Sequence, residues 1–91
     1  MTRRDFEARS AHCENGETAL LLYYILEETL DGCRSYGAEI VMHRGGHRET
    51  AAVRHITTSY GRMREILSLL SRNTVTPCTL REIVEEEVNK F

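Results

Sequence analysis

The side chains best able to bind a metal in this sequence are its histidines and cysteines. They are His12, His43, His47 and His55, with Cys13, Cys33 and Cys78. A zinc site needs three or four such ligands, usually supplied by closely spaced pairs. His43 and His47 flank Gly45-Gly46, which is typical of a turn, and no C-x-x-C pair occurs. The pattern therefore predicts no metal site. Gly45-Gly46 also lacks the spacing of a glycine-rich phosphate-binding loop, so no cofactor is predicted.

Residues for nucleophilic or acid–base catalysis are also scarce. Cys78 directly precedes a predicted helix, and a thiol at that location can be reactive. The same position is also typical of a hydrophobic staple, in which a small apolar residue packs against the first turns of the helix. The paired carboxylates Glu27-Glu28 and Glu85 to Glu87 are typical of strand-end and solvated charge. We therefore predict no catalytic residue. An enzyme whose site assembles only in space stays an open alternative, because such sites leave no spacing signal.

Positive charge is concentrated between His43 and Arg64. This segment carries Arg44, Arg48, Arg54, Arg62 and Arg64 against the single acid Glu49, a local balance of +4. Arginines near aromatic side chains are typical of a surface that follows nucleic-acid phosphates, so association with RNA is an alternative function. A helix-turn-helix reader is disfavoured, because the last predicted helix carries four glutamates. The arginines could equally pair with that acidic helix, in the same chain or in a partner.

Composition indicates one soluble domain. The chain has 91 residues, 41% of them hydrophobic and 29% charged, and its net charge of −2 creates no general attraction to nucleic acid or membrane. The longest apolar run, Ala19 to Leu26, is far shorter than the roughly 20 residues that span a bilayer. The charged start of the chain is unlike a signal peptide, and three cysteines suit no disulfide framework. We therefore predict a cytoplasmic protein without membrane contact.

Alternating and apolar stretches predict three strands, at 18–29, 34–42 and 51–56. The pairs Asp31-Gly32 and Gly45-Gly46 between them are typical of tight hairpin turns. Residues 1–17 show no sustained period, which predicts an N-terminal arm or a short helix ended by a turn at Asn15-Gly16.

Two amphipathic helices follow the strands. The first is predicted to begin after an N-cap at Ser59 and to end at Asn73, and Pro77 separates it from the second. Thr79 and Glu82 fit a capping box at the start of the second helix, whose apolar stripe runs to Phe91. We therefore expect an α+β fold with residues 18–91 as its single domain. It is a three-stranded antiparallel meander with two C-terminal helices packed on one face, in two layers.

The first hairpin fixes which side chains share a face. If Leu30 pairs with Cys33, then Leu21, Tyr23 and Ile25 lie opposite Met42, Ile40 and Ala38, and this apolar face is predicted to pack under the helices. A turn at the two glycines places Val53 opposite Ala38, and a turn of another length places Ala52 and Ile56 there instead. The other face is apolar as well. Its apolar members are Leu20, Leu22, Tyr24, Leu26 and Val41.

An apolar face without a cover predicts association. Either the N-terminal arm or a second copy of the chain covers it. The leading hypothesis is a non-enzymatic protein-interaction or regulatory module that acts as a homodimer, with no identified protein partner.

Several short segments resemble a known family. They are Tyr24 to Glu28, Tyr36 to Ile40, Ile56 to Ser59 and Thr76 to Glu86. Together they resemble a family of small bacterial proteins, mostly from anaerobic Firmicutes, known only as a domain of unknown function. The resemblance covers about Leu20 to Phe91 and leaves Met1 to Gly16 outside. It implies a shared fold and a bacterial, cytoplasmic origin, and it brings no activity, substrate or catalytic residue.

Overall fold

A computed structural model describes residues 1–12 and 16–89. In this part of the chain, four antiparallel strands form one open sheet and two helices follow them. The strands lie in sequence order across the sheet, so each pairs with its neighbours in the chain. The elements are β1 (Thr2–His12), β2 (Thr18–Leu30), β3 (Cys33–Arg44), β4 (His47–Thr57), α1 (Tyr60–Arg72), a 3-10 turn (Pro77–Thr79) and α2 (Leu80–Val88). The predicted α+β class is confirmed, whereas the prediction of three strands is wrong. Cys13, Asn15 and Phe91 lie outside the described residues.

The missed strand is β1, which was predicted to be an arm or a short helix. It pairs antiparallel with β2 along nearly its whole length, from Thr2 opposite Glu27 to His12 opposite Thr18. As an edge strand it is mostly exposed and carries charged side chains on both faces, so it has no apolar alternation to detect. The register also shifts between Asp5 and Glu7, and Phe6 in this bulge packs against the core.

The predicted hairpin between β2 and β3 is confirmed residue by residue. Leu30 pairs with Cys33, and both turn residues, Asp31 and Gly32, have positive φ, at 50° and 80°. The second turn has the same form, with φ of 54° at Gly45 and 82° at Gly46. It sets Arg44 opposite His47, and Val53 consequently lies opposite Ala38.

A bulge in β4 brings a second side chain to the same core. Tyr36 pairs with Thr57 while Ala38 pairs with Val53, so β4 has extra residues here, and His55 among them has φ of 56°. Ile56 and Val53 therefore both pack on the core, although regular alternation would have separated them. The detour presses β4 against Gly37, where a Cβ atom would lie 2.3 Å from the Val53 carbonyl oxygen. Only glycine fits there without a shift of the backbone.

The helices cover the predicted face of the sheet. The buried core joins strand and helix residues: Leu21, Tyr23, Ile25, Tyr36, Ala38, Ile40 and Met42 with Met63, Ile66, Leu67, Leu70, Val75, Leu80 and Val84. Two hydrogen bonds tie the layers together. The Tyr23 hydroxyl, in a side chain only 1% exposed, donates to the Val75 carbonyl at 2.9 Å. The buried Ser71 hydroxyl donates to the Glu7 carboxylate, which joins α1 to β1.

Both ends of α1 are closed by hydrogen bonds. Ser59 is the N-cap as predicted, since its hydroxyl accepts from the Arg62 amide at 3.1 Å. At the other end Asn73 is the C-cap, but the left-handed conformation falls one residue later, at Thr74 with φ of 46°. The Val75 amide then donates to the Leu70 carbonyl and the Thr74 amide to Ser71, which is a Schellman arrangement.

The predicted capping box of α2 is wrong. Thr79 precedes α2 but its side chain caps no amide there, and its hydroxyl is directed to the Thr76 carbonyl at 3.4 Å. The reason is the 3-10 turn that begins at Pro77, because the Thr79 backbone already lies in the right-handed helical region. An N-cap side chain reaches its amide from an extended backbone, which Thr79 does not have.

The two caps should differ in their effect on stability. Ser59→Ala is expected to lower the free energy of unfolding by about 1 kcal/mol, because an amide of α1 loses its acceptor. Thr79→Ala should change it by less than about 0.5 kcal/mol, since no cap bond is lost. Urea denaturation of both variants measures the difference. An equal or larger loss for Thr79→Ala would contradict the geometry at the start of α2.

Tyr23 should make stability depend on alkaline pH. Burial raises the pKa of its phenol to about 12, from about 10 in an unfolded chain. Between these values the native state keeps a proton that the unfolded state has lost. The contribution is therefore complete below about pH 10 and falls away as the pH rises toward 12.

Tyr23→Phe tests this contribution. The variant should lose about 1–3 kcal/mol of unfolding free energy at neutral pH, because the Val75 carbonyl loses its buried donor. The difference between wild type and variant should then shrink with rising pH. Urea titrations across that range measure it, and a constant difference would show that Tyr23 does not titrate on unfolding.

Candidate interaction surface

The face of the sheet opposite the helices, here called the reverse face, carries the five apolar side chains singled out from the sequence. By the strand register, Leu20, Leu22, Tyr24, Leu26 and Val41 all lie there. Leu20 is 41% exposed, Leu22 and Tyr24 are half-buried, and Leu26 and Val41 are only 2% exposed. Within the described residues, no helix or second sheet is stacked on this face. The open part of the apolar stripe is therefore the end near Leu20.

Two ion pairs border the other end of the stripe. Arg3 of β1 reaches across β2 to Glu39 of β3, with 2.8 Å between Nη1 and Oε1, and its guanidinium lies 4.2 Å from the centre of the Tyr24 ring. Arg54 of β4 donates two hydrogen bonds to Glu28 of β2, one of them 2.6 Å long from Nη2. The first pair lies over Tyr24 and the second lies beyond Leu26.

These pairs also alter the ionisation of their members. The hydrogen bonds from Arg54 lower the pKa of the Glu28 carboxyl, and His55 adds to the effect because its Nε2 lies 3.6 Å from the carboxylate. Bonding to Glu39 raises the pKa of Arg3. The two ion pairs therefore give this end of the reverse face a polar rim.

A cavity of about 240 Å³ opens beside the bulge in β1. Its lining includes Asp5, Ala8, Leu22 and Tyr24, which all belong to the reverse face, and no helix residue contributes. The cavity lies at the register shift between Asp5 and Glu7, where β1 is bulged. Sequence reasoning missed it, since it treated residues 1–17 as outside the sheet.

The five arginines proposed to contact nucleic acid are not brought together. Arg44 lies on the helix-covered face at the end of β3, and Arg48 lies on the reverse face opposite His43. Arg54 is paired with Glu28. Arg62 of α1 contacts Glu65 and the Glu87 carbonyl, both at 3.4 Å, and Arg64 lies 6.0 Å from the Tyr60 ring. Strand alternation thus divides a basic segment between two faces.

The possible metal ligands and nucleophiles are likewise dispersed. His43 and His47 face opposite sides of their hairpin, because His43 pairs with Arg48 and His47 with Arg44. Cys33 and Cys78 are exposed free thiols. In residues 1–12 and 16–89, no three histidine, cysteine or acidic side chains cluster as metal ligands would. His55 instead shares a 3.1 Å hydrogen bond with the Ser35 hydroxyl.

The carboxylates behave largely as strand-end and surface charge. Glu27 pairs with Arg4 at 3.0 Å and Arg34 at 3.2 Å, and Glu85 and Glu86 are exposed on α2. Neither helix of the described chain has the length and apolar character needed to cross a bilayer.

Comparison with known proteins places the chain in a family. The model of the Family of unknown function (DUF6514) matches residues 4–90. No curated protein and no solved structure matches the chain. The family match includes most of β1, so the resemblance read from the sequence, which left Met1 to Gly16 outside, was too short. The chain belongs to DUF6514, a family of unknown function.

Proposed function

We propose that the chain is a small non-enzymatic protein-interaction or regulatory module of the bacterial cytoplasm, which acts as a homodimer through its reverse face. The observation that carries the proposal is the apolar stripe of β2 on the face that the helices leave open. Leu20 at its open end is 41% exposed. Each Å² of apolar surface removed from water contributes about 25 cal/mol, so a cover on this stripe is favoured. Exposed free thiols at Cys33 and Cys78 fit a reducing compartment.

The size of the reverse face suits a stable dimer. A strand of 13 residues such as β2 is about 40 Å long, and four strands spaced about 4.8 Å apart give a width of about 19 Å. The face therefore measures about 800 Å², which is the usual contribution of each partner to a specific interface.

The charge of the face permits it to meet a copy of itself. Its side chains include three arginines, Arg3, Arg48 and Arg54, and three acids, Asp5, Glu28 and Glu39. Two of the arginines are already paired with two of the acids. Two such faces carry no net charge of one sign, so they do not repel each other as charged surfaces would.

The strand edges favour contact through the face. Both outer strands are bulged, β1 near Phe6 and β4 near His55. A bulge bends and twists an edge, which hinders continuous pairing with another strand. A second copy is therefore better accommodated on the reverse face than at an edge.

The alternative of RNA association receives less support from the geometry. Arg54 is neutralised by Glu28, and Arg48 lies on the other side of the sheet from Arg44. A phosphate-tracking surface needs its cations on one face. For the alternative of an enzyme, no group of residues was proposed as a catalytic site.

Sedimentation tests the proposal directly. We expect the wild-type chain at about 50 μM, where a modest interface is populated, to sediment as a dimer. Leu22→Glu should give a folded monomer, because it places a carboxylate in the middle of the stripe. Val88→Glu is the matched control: Val88 lies on α2, in the layer that packs on the other face of the sheet, is 46% exposed, and should leave the dimer intact.

Other outcomes would count against the dimer. A wild-type monomer at this concentration would overturn it. A mass that increases only when RNA is added, and that falls with salt, would favour the arginine surface instead.

A further inference from the structure

We infer that the two copies pack with their β2 strands antiparallel, so that Leu20 of each copy enters the cavity beside the β1 bulge of the other. This inference rests on the proposed homodimer and specifies which part of the partner completes the cavity.

Leu20, here called the knob, and the cavity are both on the reverse face. Leu20 is the most exposed of the large apolar side chains in the stripe. The cavity, about 240 Å³, is lined by Ala8, Leu22 and Tyr24 together with Asp5, Phe6, Glu7 and Tyr23. It is a concave feature of this face, and it is adjacent to the stripe. An apolar side chain suits the part of the lining formed by Ala8 and Leu22, whose side chains offer it no hydrogen bond.

Symmetry restricts how two such faces can meet. A two-fold axis that brings one face onto its copy must lie in the plane between the sheets. If the axis runs along the strands, Leu20 meets its own copy and both cavities stay empty. If it runs across them, each position on β2 meets the position equally far on the other side of the axis. Leu20 and the cavity, centred between Leu22 and Tyr24, are about 10 Å apart along β2, so an axis beside Leu22 joins both knobs to both cavities. The copies then overlap over residues 18–26 of β2, about two thirds of the face, which buries about 550 Å² on each copy, and the total for both copies still exceeds the roughly 1,000 Å² expected of a specific interface.

The distribution of charge favours the same axis. Near Leu20 the reverse face carries His43 and Arg48, which are cross-strand partners. Near Tyr24 it carries Asp5 and Glu39, the residues paired with Tyr24 on either side, and Arg3, which is ion-paired with Glu39. The axis across the strands lays each strand over its own copy in the reverse direction, so that by register His43 lies over Glu39 and Arg48 over Ala52, and no two like charges meet. An axis along β2 would instead lay β1 of one copy over β3 of the other at the same level, which brings Asp5 over Glu39 and sets two carboxylates together.

A double-mutant cycle tests the contact. Leu20→Ala removes the knob, and Ala8→Phe fills the mouth of the cavity; each should weaken the dimer at least about tenfold in Kd. The combined variant should bind no more weakly than either single variant, because the phenyl ring introduced at Ala8 occupies the space that the second copy's leucine has left. Leu30→Ala is the control for a lost exposed leucine and should leave Kd unchanged. Sedimentation equilibrium gives the Kd of the wild type and of each variant, and circular dichroism shows that each variant folds.

The outcomes separate this inference from the proposed function. If the wild type is a dimer and the effects of Leu20→Ala and Ala8→Phe simply multiply, the two side chains do not meet and the antiparallel arrangement is wrong, while the dimer stands. If Leu20→Ala has no effect on a wild-type dimer, the inference fails in the same way. If the wild type is a monomer, both proposals fail.

Discussion

The structure depends on one constraint: β2 carries large apolar side chains on both of its faces, and the helices of the described residues cover only one of them. Leu21, Tyr23 and Ile25 are covered by α1 and α2, and the Tyr23 hydroxyl fixes the connection between the helices through Val75. The opposite side chains must be shielded by other means. Within the chain, Arg3 contributes by lying over the Tyr24 ring. The central position of β2 and β3 follows, because the more polar strands can occupy only the edges of the sheet.

Much of this arrangement could be predicted from residue types. The pairs Asp31-Gly32 and Gly45-Gly46 fix two hairpins, and a two-residue turn determines the register of every pair that follows it. The N-cap at Ser59 was equally readable. β1 was not, because its alternation carries charge instead of apolar side chains. Neither bulge has a local signature, and the capping pattern at Thr79 was misleading because Pro77 starts a 3-10 turn first. The presence of glycine at position 37, in the Tyr36-Gly37 segment of the resemblance, is explained by the β4 bulge, which leaves no room for a side chain there.

The candidate surface was predictable to a similar degree. The hairpin register alone places Leu22 and Tyr24 on a face away from the helices. The cavity and the pair between Arg3 and Glu39 were not predictable, since both require β1 to be in the sheet. The sequence alone could not show where the five arginines lie in space, for a different reason. Neighbouring positions on a strand point to opposite faces, so a charged segment of β-structure is not a charged patch.

The order of the elements also matters while the chain is being made. Every strand pairs with its sequence neighbour, and hairpins close in microseconds, so the sheet can assemble as soon as β4 has left the ribosome. Translation at about 5–20 residues per second needs a further few seconds to deliver α1 and α2. During that interval the nascent sheet exposes apolar side chains on both of its faces. A polysome that carries several such chains would hold them close together while both apolar faces are exposed and association is most favoured.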